Sequence, residues 1–198
     1  MPARFWMGSY RAKAIGGGNA AAAFLRGFRR FQTLCVAMLA LSVLGVPPGS
    51  AESRSIPAPT GEVILTVSGA IENTNAPGEA RFDLAMLEAL PSHEIVTSTP
   101  WSKDTLTFTG PLARDLMDLV GATGNTVRAI ALNDYKSEIP LSDFENYDVV
   151  IAVKLNGSYM RIRDKGPLWI AYPLDQVPEI RESAPPKMVW QLTRLVVE

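Results

Sequence analysis

The chain has one cysteine in 198 residues, Cys35, and it lies in a stretch that an exported protein would discard. Residues 1–51 contain no Asp or Glu but carry six bases: Arg4, Arg11, Lys13, Arg26, Arg29 and Arg30. An apolar run from Leu34 to Val46 follows, then Pro47-Pro48 and the small residues Gly49-Ser50-Ala51, before the first acid, Glu52. A basic start, a short apolar run and small residues at −3 and −1 have the form of a secretory signal peptide cut after Ala51. The alternative is an uncut anchor, but the run is shorter than the roughly 20 residues a bilayer span needs. Arg29-Arg30 raises the twin-arginine route, although Phe31-Gln32 departs from the full pattern. The expected address is the bacterial periplasm. Whatever folds beyond Ala51 does so without a disulfide or a cysteine-ligated metal, so burial alone must hold it together.

Charge narrows the partners. Without the six leader bases, 13 Lys and Arg face 20 Asp and Glu, a balance of about −7 where the full chain has −1. An acidic domain does not point to nucleic acid or to an anionic membrane. No span is expected in the mature chain. Residues 52–198 suffice for one domain with its own core.

Residues 52–61, with two prolines and small polar residues, read as a linker, and 62–198 as the domain. Val63–Ile71 alternates like a half-buried strand. Asn73–Gly78 is turn chemistry, and Asp83 is placed to cap a short helix through Leu90. Strands are expected over 94–99 and 105–109. A helix opens at Thr109-Gly110-Pro111, shows Leu112, Leu116, Leu119 and Val120 on one face, and stops at Gly121. Strands follow over 126–132 and 135–139, around an Asn133-Asp134 turn, then a short helix near Leu141–Tyr147. Asn156-Gly157 marks a hairpin between 149–155 and 158–162. Strands over 168–172 and 188–197 complete the set, separated by a proline-rich loop at 173–186. About eight strands and few short helices make an α+β domain with mixed β-sheets or a small barrel.

The order of short motifs is also informative. Val-Ser-Gly-Ala-Ile (67–71) is followed by Phe-Asp-Leu-Ala-Met-Leu-Glu-Ala-Leu-Pro (82–91), then by Phe-Thr-Gly-Pro-Leu-Ala-Arg-Asp-Leu (108–116) and Ala-Leu-Asn-Asp-Tyr (131–135). Asn156-Gly157, Gly166-Pro167-Leu168 and Val189-Trp190-Gln191-Leu192 come next. Over nearly all of 62–198 this series resembles the sulfite-oxidase-type molybdopterin-binding domain. The resemblance implies that fold, and oxygen-atom transfer at a molybdenum held by the pterin dithiolene and one protein cysteine. That cysteine belongs close to a Trp in a segment that reads Glu94-Ile-Val-Thr-Ser-Thr-Pro-Trp101 here. Thr97, Ser98 or Thr99 stands in its place, and an alcohol of very high pKa poorly replaces a soft thiolate. Where the family carries bases after Gly-Pro-Leu and before the late Trp, this chain has Trp169 and Val189. The fold expectation survives these departures and the enzyme expectation does not.

Other chemistries lack their parts. His93 is the only histidine, so a Cys/His metal site or a zincin helix is excluded by count. His93 reads as an exposed loop residue. Acid pairs such as Asp143/Glu145 and Asp175/Glu179 read as solvated faces rather than glycosidase carboxylates. Arg161 and Arg163, two apart on the expected strand, form either an anion-binding patch beside Gly166-Pro167 or an ordinary face paired to Asp164. Trp101, Trp169 and Tyr172 either line the vacated pocket or pack in the core. Asn133, Asp134 and Tyr135 match a family loop facing that pocket, or are a plain turn.

The expectation is therefore an exported, non-catalytic binding or sensory accessory protein with no cofactor. Its partners would be a small anionic ligand and a membrane-bound sensor protein. Its pocket would draw on Thr97, Thr99, Trp101, Asn133, Asp134, Tyr135, Arg161, Arg163 and Trp169. The alternative is a periplasmic molybdopterin-dependent oxidoreductase with unusual metal ligation.

Overall fold

The computed structural model describes residues 55–198. The expected leader 1–51 with Cys35, and the start of the expected linker, lie outside the described residues. The described part of that linker is packed onto the domain. Ile56 is buried, and the Thr60 and Gly61 amides both donate to one oxygen of Asp83 at 2.8 Å.

Among the described residues, eleven strands form three sheets. β1 (Leu65–Gly69), β2 (Glu79–Phe82), β5 (Thr126–Ala131), β6 (Lys136–Pro140) and β11 (Leu192–Val197) make a five-stranded sheet in the order β2-β1-β11-β5-β6. Only the β1–β11 pair in it is parallel. β3 (Ser92–Thr97), β4 (Leu106–Pro111), β8 (Lys154–Leu155) and β9 (Ser158–Tyr159) form a second sheet in that order. β7 (Val150–Ala152) and β10 (Trp169–Ala171) form a third, antiparallel pair. No sheet closes into a barrel, so the mixed-sheet expectation holds and its barrel variant does not.

Alternation explains the strands. Leu65 and Val67 of β1, Val127, Ala129 and Ala131 of β5, and Leu192, Leu195 and Val197 of β11 are buried, with more open residues between them. β7 and β10 instead bury every residue, because β7 also lies against β4. The Val153 amide donates to the Thr109 carbonyl at 2.9 Å and the Ala113 amide to the Val149 carbonyl at 2.8 Å. The approach is close enough that a Cβ at Gly110 would collide with the Ile151 carbonyl oxygen.

Among the described residues, three short α-helices lie between strands. In α1 (Leu84–Glu88), Asp83 caps as expected, accepting from the Met86 amide at 2.9 Å. α2 (Ala113–Val120) buries Ala113, Leu116, Met117 and Val120, and Gly121 ends it in the left-handed conformation. Burying side chains such as Leu116 and Val120 stabilises by about 1.5–3 kcal/mol each. α3 (Leu141–Asn146) buries Phe144. Among the described residues no helix is long and apolar enough to cross a membrane.

Several local expectations are corrected. Pro111 does not open α2; it ends β4 opposite Ser92, and the helix starts at Ala113. His93 is exposed but sits in β3, paired with Gly110. β2, between the Asn73–Gly78 turn and Asp83, was not expected. The strand expected over 158–162 ends at Tyr159 and gives way to a 3-10 turn at Ile162–Asp164. The 173–186 loop is structured by 3-10 turns at Pro178–Ile180 and Pro185–Lys187, with Leu174, Ile180 and Ala184 buried.

Candidate ligand pocket

All three tryptophans of residues 55–198 meet in one cluster. Trp169, on β10, is fully buried, and its indole N–H donates to the Met188 carbonyl at 3.2 Å. Phe108 of β4 meets it edge-on at 5.0 Å between centroids, and Trp190 does so at 5.9 Å from the other end. Trp101, 42% exposed in the β3–β4 connection, meets Trp190 edge-on at 5.1 Å and Trp169 at 6.4 Å. Edge-to-face packing suits the ring quadrupoles and fixes each ring's tilt.

Outward from this cluster opens a cavity of about 180 Å³. Trp101 and Trp190 form one wall, and Asn133 and Tyr135 of the β5–β6 turn form another. Pro185, Pro186, Met188 and Val189 close the side toward the chain's last strand. Two ties hold this proline wall. The Tyr135 hydroxyl donates to the Pro186 carbonyl at 2.9 Å. Lys187 donates to the Asp143 carboxylate on α3 at 2.7 Å, and the buried Tyr172 hydroxyl donates to the same oxygen at 2.9 Å. Burial first, then the Asp143 charge, pushes the Tyr172 hydroxyl well above the usual tyrosine value. It is a fixed donor, not an acid.

The sequence-derived residues divide into groups. Trp101, Asn133 and Tyr135 line the cavity. Trp169 is core, backing the wall, and Tyr172 is core too. Asp134, at positive φ in the turn, is exposed and is not in the lining. Arg161 and Arg163 are not strand neighbours and take no part in the lining. They flank Ile162 at the 3-10 turn, and both face Asp164, at 2.7 and 3.7 Å. The ordinary ion-paired face is the reading that stands. Lys165 beside them lies over two rings, its ammonium 4.7 Å from the Trp169 centroid and 5.1 Å from that of Trp190.

Thr97 and Thr99 are buried but do not line the cavity. They sit under the proline-rich loop. The Ser98 amide and hydroxyl donate to the two oxygens of Asp175, at 2.6 and 2.7 Å. The Asp175 amide donates to Thr97 Oγ1 at 3.2 Å, and Gln176 donates to the Val96 carbonyl at 2.8 Å. Arg181 adds a 3.0 Å contact to Asp175. The Ser98 hydroxyl and amide, then Arg181, hold the Asp175 carboxyl below the usual aspartate range. Thr99 Oγ1 is buried with no partner among the described residues.

These residues do not fit a molybdenum dithiolene centre. The described residues contain no cysteine and no group of three His, Cys, Asp or Glu side chains able to hold a metal. The hydroxyls of the expected ligand segment are hard donors, and those of Thr97 and Ser98 are already engaged. Trp169 and Val189, where the resemblance would call for bases, are buried apolar side chains.

Sequence reasoning missed Pro185, Pro186 and Met188 as lining residues and Asp175 as the loop's anchor. It quoted Trp190 as part of a motif without placing it in the pocket. A proline pair followed four residues later by Trp was a visible signal. No local signal joins Asp175 to Ser98, 77 positions away.

No family model matches the chain, and no curated protein sequence matches it. Among solved structures, the fold is similar to that of the sulfane dehydrogenase SoxCD from Paracoccus pantotrophus, with a TM-score of 0.52 and 16% identity. The likeness covers 67% of this chain but only 37% of that one. At this identity it is a likeness of fold.

Proposed function

We propose that this protein is an exported, non-catalytic binding or sensory accessory protein, built on a sulfite-oxidase-type fold that works without molybdenum. The observation that carries the reading is the bonding of Thr97 and Ser98 to the Asp175 loop. By resemblance, this segment is where a metal-binding thiolate belongs. Here its polar groups fasten a loop instead of facing a ligand. The motif order and the likeness to a sulfane dehydrogenase support the fold assignment. The aromatic cavity supports a binding role, since small-molecule sites are concave and mostly apolar with few polar groups. The form of residues 1–51 supports a periplasmic address, and a membrane-bound sensor is the partner such a role calls for. With Arg161 and Arg163 tied to Asp164 outside the cavity, the anionic ligand they suggested loses its main support.

One observation favours the second reading, a molybdopterin-dependent oxidoreductase with unusual ligation: the unpartnered buried hydroxyl of Thr99. A neutral alcohol of very high pKa poorly replaces a thiolate ligand, so this reading ranks second. Molybdenum analysis with pterin fluorescence, on protein purified from its native compartment, decides between them. The expected result is neither metal nor pterin. About one molybdenum per chain would sink the first reading.

A further inference from the structure

We infer that the tryptophan pocket takes one uncharged aromatic ring bearing a carbonyl or phenolic oxygen; this rests on the cofactor-free reading above. Size comes first. The cavity is about 180 Å³, and an apolar cavity of about 150 Å³ holds benzene. One ring with a short substituent fits, and a molecule of several linked or fused rings does not. The walls come next. Trp101, Trp190 and Tyr135 offer ring faces and edges, and Pro185 and Pro186 offer flat apolar surface. A planar ring gains both dispersion and quadrupole contacts there.

Charge then removes the alternatives. Aromatic walls in general attract cations. Here Lys165 already lies over Trp169 and Trp190, so a second positive charge beside them meets repulsion. No carboxylate lines the cavity to offset it. An anion would gain only the Lys165 charge across the ring cluster, with no cation in the lining to replace its lost water. Arg161 and Arg163 are outside and engaged.

The polar groups of the lining set the substituent. The Asn133 side-chain oxygen accepts from the Tyr135 amide at 3.2 Å, which leaves its NH₂ group free among the described residues to donate to an oxygen of the ligand. The Tyr135 hydroxyl is committed to Pro186. The lining side chains therefore offer mainly donors, the Asn133 NH₂ and the indole N–H groups of Trp101 and Trp190, which selects a ring with an acceptor oxygen.

The test follows the indole N–H resonances of Trp101 and Trp190 in the purified protein during titration with acetophenone, ethylbenzene, benzoate and benzyltrimethylammonium. Acetophenone is expected to shift both resonances saturably and to bind about tenfold more tightly than either ion, a difference of about 1.4 kcal/mol. Tyr135→Ala, at an exposed position, is expected to abolish that shift while the buried Trp169 resonance stays in place. Asn133→Ala is expected to weaken acetophenone severalfold and leave ethylbenzene unchanged. Tighter binding of benzoate or of the quaternary ammonium overturns the inference. So does the absence of a saturable shift with acetophenone. If molybdenum and pterin are also absent in that last case, only the ring ligand falls and the cofactor-free reading stands. Molybdenum and pterin in the protein overturn both.

Discussion

The two oxygens of Asp175 are taken by the two donors of one residue, Ser98, whose amide and hydroxyl reach them at 2.6 and 2.7 Å. Such a bidentate clamp fixes a loop more firmly than one bond does, because rotation about either bond breaks the other. Asp175→Ala should leave the core intact and free residues 173–181 from the end of β3. Amide exchange in that stretch is expected to rise about tenfold or more, the effect of losing charge-assisted hydrogen bonds. Unchanged exchange there would refute the clamp.

The same clamp has a predictable acid limit. Asp175 is held below its ordinary value of 3.8 by Ser98, then Arg181. Asp83 is held below the same value by the amides of Gly61, Met86 and Thr60. A depressed carboxyl contributes its full stability above the unfolded value and loses it as pH falls through the folded one. Stability should therefore hold down to about pH 3.8 and decline below it. The gap between wild type and Asp175→Asn should narrow over that same acid range in denaturation measured pH by pH.

Asp143 carries two partners on one oxygen, and its loss should cost more than the loss of either. Tyr172→Phe removes one hydrogen bond and should destabilise by about 1 kcal/mol. Asp143→Ala strands the buried Tyr172 hydroxyl and the Lys187 ammonium together, at about 2–3 kcal/mol. Urea denaturation of the two variants gives the comparison. It should also show Asp143→Ala loosening the proline wall of the pocket, read from the Trp190 resonance.

Trp169 is the keystone of the ring cluster, fully buried and edge-on to both Phe108 and Trp190. Trp169→Ala should destabilise by about 3–5 kcal/mol, the range for emptying a large buried aromatic site. A cost under about 1 kcal/mol would mean that the cluster collapses onto the space.

Gly110 is required by proximity rather than by backbone angle. Any Cβ there meets the Ile151 carbonyl, so Gly110→Ala must push β4 away from β7. A loss of at least about 2 kcal/mol is expected in thermal or chemical unfolding.

What was legible in the sequence was local. Asp83 as a cap, Gly121 as a stop, the alternation of Leu65 and Val67, and the Asn156-Gly157 hairpin are each written within a few residues. The three-sheet division was not. β7 and β10 are too short and too uniformly apolar to reveal that they leave the longer sheets. Arg161 and Arg163 misled because a hairpin strand was carried through to Ile162, whereas Lys165 at positive φ ends a turn there. The pocket was half legible. Trp101, Asn133 and Tyr135 stood in recognisable motifs, but the proline wall reaches the cavity through the Asp143–Lys187 pair, 44 positions apart. Contacts of that kind arise from the fold and leave no mark on either neighbourhood.

The five-stranded sheet orders its strands β2-β1-β11-β5-β6, so its middle is supplied by the strand nearest the C-terminus. β1 has no parallel neighbour, and β5 lacks its second partner, until Leu192–Val197 arrives. Before it does, the sheet can hold only the β1–β2 and β5–β6 pairs. Joining them is a late, non-local step, and such contacts form slowly. Loss of Leu192–Val197 would therefore leave two separate strand pairs, not a smaller sheet.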